Sequence, residues 1–166
     1  MAATFNWAQR NGVGGTSTDL GTSGNLWNFK SVDSAVAGDY AANPITAGQN
    51  SFEVWLRGHF TGTFNRIDDV RFWMSTGFSP ATGLAVFWRG TQVIYLQPAA
   101  GTSSIATSSV PTADPGSANV SIGGSLSGSL VAVGFTDHVV LQLRTTTAAP
   151  AGDTSLAVFT MSYSEN

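Results

Sequence analysis

Apolar and polar residues alternate along this chain in short runs, and no run sustains the three-to-four-residue spacing of an amphipathic helix. The clearest alternation covers residues 51–61. There Phe52, Val54, Leu56 and Phe60 share one face with Gly58, while Glu53, Trp55, Arg57 and His59 share the other, which predicts a half-buried strand. After Gly62-Thr63-Phe64-Asn65 the alternation resumes from 67 to 74, with Val70, Phe72 and Met74 opposed to Asp69, Arg71 and Trp73. These two runs are expected to pair as antiparallel neighbours. Residues 83–89 and 92–97 read as a hairpin turning on Arg89-Gly90-Thr91, with glycine supplying a positive φ. Further strands are expected at 4–8, 26–32, 120–122, 138–145 and 155–162. Short strands divided by Gly, Pro, Asn and Ser, with no helical interlude, predict an all-β fold, a two-sheet antiparallel sandwich of the jelly-roll type.

At 166 residues the chain has the length of one domain. Residues 19–166 are expected to form a single sandwich. Residues 1–18 are expected as a flexible N-terminal arm, because Asn11-Gly12-Val13-Gly14-Gly15 would leave Phe5 and Trp7 ahead of a glycine-rich hinge. Residues 97–117 contain Pro98, Pro111 and Pro115 among many Ser and Thr, and read as a long surface loop or an edge excursion. The Gly/Ser segment 123–129 reads as a turn or loop tip.

Composition narrows what such a sandwich touches. Charged residues make up 10% of the chain, against roughly 25% in ordinary soluble domains. Between residues 90 and 136 the only charged side chain is Asp114. The surface is therefore built from hydroxyls and backbone, and charge is not its main means of recognition. A net charge of −3 with no basic stripe argues against nucleic acid as a partner. Apolar stretches such as Leu130-Val131-Ala132-Val133 fall far short of the ~20 residues a membrane helix requires, so no membrane partner is expected. The absence of cysteine rules out a disulfide framework and thiolate zinc sites. Residues 1–10 lack a basic stretch followed by an apolar one, so no secretory signal is expected there.

The chain offers little catalytic chemistry. It has no G-x-S-x-G elbow, and its two histidines differ in setting. His59 lies among outward-facing polar residues, and Asp137-His138 precedes an apolar strand as a turn-and-start pair. Asp68-Asp69, with Glu53 nearby if the two strands pair, lacks the regular oxygen-ligand spacing of a calcium loop. The glycines at 12–15 lack the lysine and helix of a phosphate loop. Asn119-Val120-Ser121 matches a glycosylation sequon, which stays idle without export. No enzyme activity, metal or cofactor is expected. The aromatic residues are more informative, because Trp55 and Trp73 have the opposite phase from their apolar neighbours. With Arg57 and Arg71 they would form an aromatic and guanidinium patch suited to a partner, unless the chain's own loops cover it.

The segments Asn50-Ser51-Phe52-Glu53-Val54-Trp55-Leu56-Arg57, Phe60-Thr61-Gly62-Thr63-Phe64-Asn65 and Val70-Arg71-Phe72-Trp73-Met74-Ser75-Thr76 resemble a pattern in small structural proteins of tailed bacteriophages. Asn25-Leu26-Trp27-Asn28-Phe29-Lys30 and Asn43-Pro44-Ile45-Thr46-Ala47-Gly48 add to the likeness. This resemblance implies a non-enzymatic jelly-roll cement or decoration protein, made in the host cytoplasm and carried on the virion. It would bind the major capsid protein on the outer shell as a homotrimer. The resemblance carries no catalytic motif and fixes no contact residues. From the residues themselves, Phe5, Trp7, Trp55, Arg57, Arg71 and Trp73 are the candidates for partner contact. Ile105, Val110, Leu126, Leu130 and Val131, in the charge-poor stretch, are the candidates for the oligomer interface. The alternative is a carbohydrate-binding, lectin-like module or a tail or fibre component recognising host glycans, with Trp55, Trp73 or Trp88 on a shallow face.

Overall fold

A computed structural model describes residues 2–12, 14–21, 27–36 and 38–166. In chain order the strands are β1 (Ala3–Gln9), β2 (Thr18–Gly21), β3 (Val54–Gly62), β4 (Ile67–Thr76), β5 (Leu84–Gln92), β6 (Ser108–Ser109), β7 (Gly134–Phe135), β8 (His138–Thr145) and β9 (Val158–Glu165). Two single-turn 3-10 helices, Asp39–Ala41 and Gly101–Ser103, lie in the loops. The antiparallel two-sheet sandwich expected from the alternation is the fold adopted, and its strands are shared unequally. One sheet has seven strands in the order β2-β1-β3-β8-β5-β6, with β7 on β3, and the other holds only β4 and β9.

The inner faces follow the period of two. Val54, Leu56 and Phe60 of β3 and Val139, Leu141 and Leu143 of β8 turn inward from the large sheet, and Ile67, Val70 and Phe72 of β4 meet them from the small one. At the centre Phe72 lies stacked between Trp88 (5.8 Å between ring centroids) and Phe159 (5.9 Å), with Trp7 edge-on at 6.1 Å. Gly58 keeps this face open, because a Cβ there would stand 2.9 Å from the Met161 sulfur and 3.0 Å from the Phe5 ring. Where β7 passes into β8, Thr136 bridges the break. Its N–H donates to Gly58 O at 2.9 Å, and its hydroxyl accepts the Gly58 N–H at 3.0 Å.

Several expectations are corrected. Residues 3–9 are not an arm, because β1 lies between β2 and β3 and runs in register from Ala3↔Gly62 to Gln9↔Leu56. Phe5 and Trp7 therefore face the core, where apolar burial outweighs the flexibility of the glycines that follow. The strands β3 and β4 are not neighbours. The link between them crosses from one sheet to the other, so β3 pairs with β1, β7 and β8, and β4 with β9. No hairpin forms at Arg89-Gly90-Thr91, which continues β5 along β8 through a bulge to Gln92↔His138. Residues 120–122 make only an isolated bridge, Ile122↔Ser125. In the run expected at 26–32, Leu26 lies outside the described residues and 27–32 is not strand. The last strand begins at Val158 rather than at 155.

Residues 93–120 wrap the sandwich. Tyr95, Ile105 and Ala106 cross the outer face of the large sheet and bury Trp55 and Val140 beneath them, with Phe87 partly covered beside these. The chain then pairs with β5 through β6 and reaches the free edge of β4, where Met74 N–H donates to Pro111 O at 2.8 Å. Asn119 completes that edge, its side chain accepting Phe72 N–H and donating to Phe72 O, both at 2.8 Å. The excursion expected at 97–117 is thus a cover for one face and a seal for one edge.

Candidate functional site

At the end of the sandwich where β5 finishes and β8 begins, the chain folds residues 121–136 into tight turns. Gly123 and Gly124 both take left-handed conformations, φ 61° and 84°, that side chains with a Cβ resist. Asp137 is buried below them and fastens the turn by accepting the Ser121 hydroxyl at 2.5 Å and Gly124 N–H at 2.7 Å. Gly124 in turn lies against Val93, with room for a Cβ only 3.5 Å from the Val93 methyl. The segments after β5 and before β7 are thereby brought to one end of the molecule.

The two segments that meet there, 93–96 and 121–136, carry no charged side chain and expose apolar ones. Val93, Ile94 and Leu96 from one segment, with Leu126, Val131 and Val133 from the other, are all exposed, Ile94 at 70% and Val131 at 71%. Six aliphatic side chains left in solvent on linked loops are the surface this molecule most needs to cover. Of the proposed oligomer residues, Leu126 and Val131 stand here. Val110 is buried in the core, Leu130 is half-buried against it with its backbone paired to Ile67, and Ile105 lies over Trp55. Val93, Ile94, Leu96 and Val133 were not singled out from sequence. The alternation of residues 92–97 predicts a strand for the first three, and all four belong to the charge-poor stretch.

The six residues expected to contact a partner lie in three places. Phe5 and Trp7 are in the core. Trp55 is wholly buried, its indole 5.1 Å from the Tyr95 ring and 5.3 Å from the His138 ring. Arg57, on the same outer face, lays its guanidinium 3.8 Å from the centre of Phe135, on which His59 also stacks at 4.1 Å. Arg71 and Trp73 belong to the other sheet and point away from the core, opposite Ser162 and Thr160 of β9. The two arginines therefore never form one patch, and Trp55 is covered by the chain itself.

The polar groups of the large sheet's outer face are held by structural contacts. His59 Nδ1 stands 2.8 Å from Asp19. His138 Nδ1 meets Gln92 O at 3.0 Å, while its Nε2 and the Arg57 Nε are buried without a partner. Burial lowers the His138 pKa, and the charges of Arg57 and Arg10 lower it further. Ser121 bonds to Asp137 and not to His138, so the three do not align as nucleophile, base and orienting acid. Among the described residues no three His, Asp or Glu side chains converge to hold a metal, and no helix is long and apolar enough to cross a membrane. One surface hollow of about 300 Å³, lined by Gly83, Leu84, Ala85, Phe87, Arg144, Thr145 and Thr146, contains no carboxylate. Another of about 360 Å³ near Ala2, Phe64 and Asn65 contains the Glu165 side chain. No protein-family model, curated protein or solved structure matches this chain.

Proposed function

We propose that this chain is a non-enzymatic virion structural protein that forms a homotrimer and binds the outer surface of a capsid shell as a cement or decoration protein. The observation that carries the reading is the charge-free loop pair 93–96 and 121–136, where six exposed aliphatic side chains stand on segments that meet at Gly124 and Val93. Covering such a surface with a second copy returns about 25 cal/mol for each Å² of apolar area removed from water. With no charge at 93–96 or 121–136, the contact loses little to salt, which suits a particle that meets varied media. The resemblance of residues 50–76 to small phage structural proteins supplies the shell as partner. A bridge between shell subunits stabilises the shell because expansion must then break several contacts together.

The test is light scattering on the purified chain, followed by co-sedimentation with empty shells of the phage that encodes it. A trimer that sediments with shells at a fixed ratio is expected. In Val131→Asp combined with Leu126→Asp, the trimer should dissociate while the thermal midpoint of the monomer stays within a few degrees, because both sites are exposed. A wild-type monomer that ignores shells would overturn the reading.

A further inference from the structure

The outward face of the small sheet carries a second constellation, and it does not depend on the loop end or on a shell. Trp73 lies directly opposite Thr160, and Arg71 directly opposite Ser162, so the four share one face. Ser75 adds a hydroxyl to it, 2.9 Å from that of Thr160. Trp7, Trp27, Trp55 and Trp88 each pack against another aromatic ring, whereas Trp73 does so with none among the described residues. Its indole is half-buried and its other neighbours on the face are hydroxyls and a guanidinium.

Two separate features of the chain converge on that guanidinium. Among the described residues Asp69 is the one non-glycine residue with a positive φ, 47°, and it sits where the register of β4 against β9 slips. A left-handed backbone is strained for a residue with a Cβ. The carboxylate of this strained residue lies 3.1 Å from Arg71 Nη2. From the other side Asp114 accepts Arg71 Nη1 with both oxygens, at 3.1 and 3.0 Å, and is itself held by Gly116 N–H at 2.9 Å. Asp114 is the sole charge the chain admits between residues 90 and 136. A guanidinium clamped between two carboxylates, beside an unstacked indole and a row of hydroxyls, presents fixed donors and acceptors next to an aromatic ring.

From this geometry we infer that the Trp73 face binds a neutral oligosaccharide, with a sugar ring stacked on the indole and its hydroxyls bonded to Asp69, Asp114, Ser162 and Thr160. Neutrality follows from charge, because two carboxylates outnumber the one guanidinium and disfavour an acidic sugar. A ring with one C–H face and a rim of hydroxyls matches both the indole and the polar groups around it.

The test titrates the isotope-labelled chain with maltohexaose, cellohexaose, xylohexaose and mannohexaose, with hexagalacturonate as the acidic control, and follows the indole N–H of each tryptophan by NMR. At least one neutral hexasaccharide should move the Trp73 signal saturably, and the acidic one should bind more weakly. Trp73→Ala should weaken binding at least about tenfold, and Trp73→Phe should keep most of it while both variants retain the wild-type spectrum elsewhere. Silence of the Trp73 signal across the neutral set, unchanged binding by Trp73→Ala, or tighter binding of hexagalacturonate would overturn the inference. Trimer formation and shell binding are measured separately, so failure of one leaves the other standing.

Discussion

The Glu53 carboxylate accepts the indole N–H of Trp55 at 3.0 Å, two residues along the same face of the chain. The same carboxylate takes Ala99 N–H at 3.1 Å and Ile105 N–H at 2.7 Å; Glu53 and Trp55 are buried and the two loop amides partly so. One side chain thus ties the outer face of β3 to the two ends of the segment that covers it. Three N–H donors around one carboxylate are what allow it to lie out of water.

Replacing Glu53 should therefore loosen the cover before it loosens the sandwich. Glu53→Ala leaves three donors without an acceptor, the Trp55 indole buried and the other two partly so, and is expected to cost about 3 kcal/mol. Glu53→Gln keeps one acceptor and turns an amide NH₂ toward the remaining donors, so it should also destabilise. Urea unfolding gives the loss, and the near-ultraviolet signal of Trp55 should change ahead of the global transition. A Glu53→Gln protein as stable as wild type would show that the carboxylate is not the tie.

The strand at the N-terminus supplies a second expectation. Trp7 is almost wholly buried against Phe5 and Phe72, so Trp7→Ala should cost about 3–5 kcal/mol, the range for truncating a large core aromatic. Removal of residues 1–9 should abolish cooperative unfolding, since it strips the partner from one edge of β3. An arm would tolerate both changes, and calorimetry distinguishes the two.

Gly90 supplies a third. It lies within β5, and a Cβ added there would fall 2.4 Å from Asn119 O and 2.6 Å from the Trp88 ring. Gly90→Ala should destabilise by about 1–3 kcal/mol through overpacking. Gly90→Asn, which a left-handed turn would accept, should be worse still because the side chain is larger. A chemical denaturation series on the two variants checks the order.

The fourth concerns pH. Burial holds the His138 pKa below its ordinary 6.5, aided by the charges of Arg57 and Arg10 and opposed by Gln92 O and Asp137. The unfolded chain therefore binds a proton at a higher pH than the folded one. Stability from this residue is complete above about 6.5 and is lost as pH falls from there toward the lowered value. His138→Gln should flatten that part of the stability profile, measured as urea midpoint against pH. A profile unchanged by the substitution would assign the dependence to other groups.

How much of this was legible beforehand depends on how local the cause is. The inward phase of Val54, Leu56, Phe60, Val70 and Phe72 follows from a period of two, and the structure buries all five. Strand β8 covers the residues 138–145 read from the alternation. What failed depends on residues far apart. A four-residue link between two alternating runs looks like a hairpin, and only the packing shows that it changes sheets. Gly90 looks like a turn former, and its reason for lacking a side chain is Asn119. Trp55 has the phase of an exposed residue, and its cover comes from Tyr95 and Ile105. Within the charge-poor stretch Val110 and Val131 are indistinguishable by composition, yet one is core and the other is surface.

The pairing order also governs how the chain must be made. The central strand β3 acquires its β8 partner only when Leu141 is available to Val54, and β4 acquires β9 only when Glu165 is available to Ile67. Up to that point β3 has strand pairing only with β1 and the short β7, and β4 has no strand partner. Closing such long loops is slow, and it leaves apolar edges open to other chains in the meantime. A nascent chain on the ribosome therefore gains no stable half-domain to shelter in, and assembly of the whole sandwich waits for the last strand to emerge.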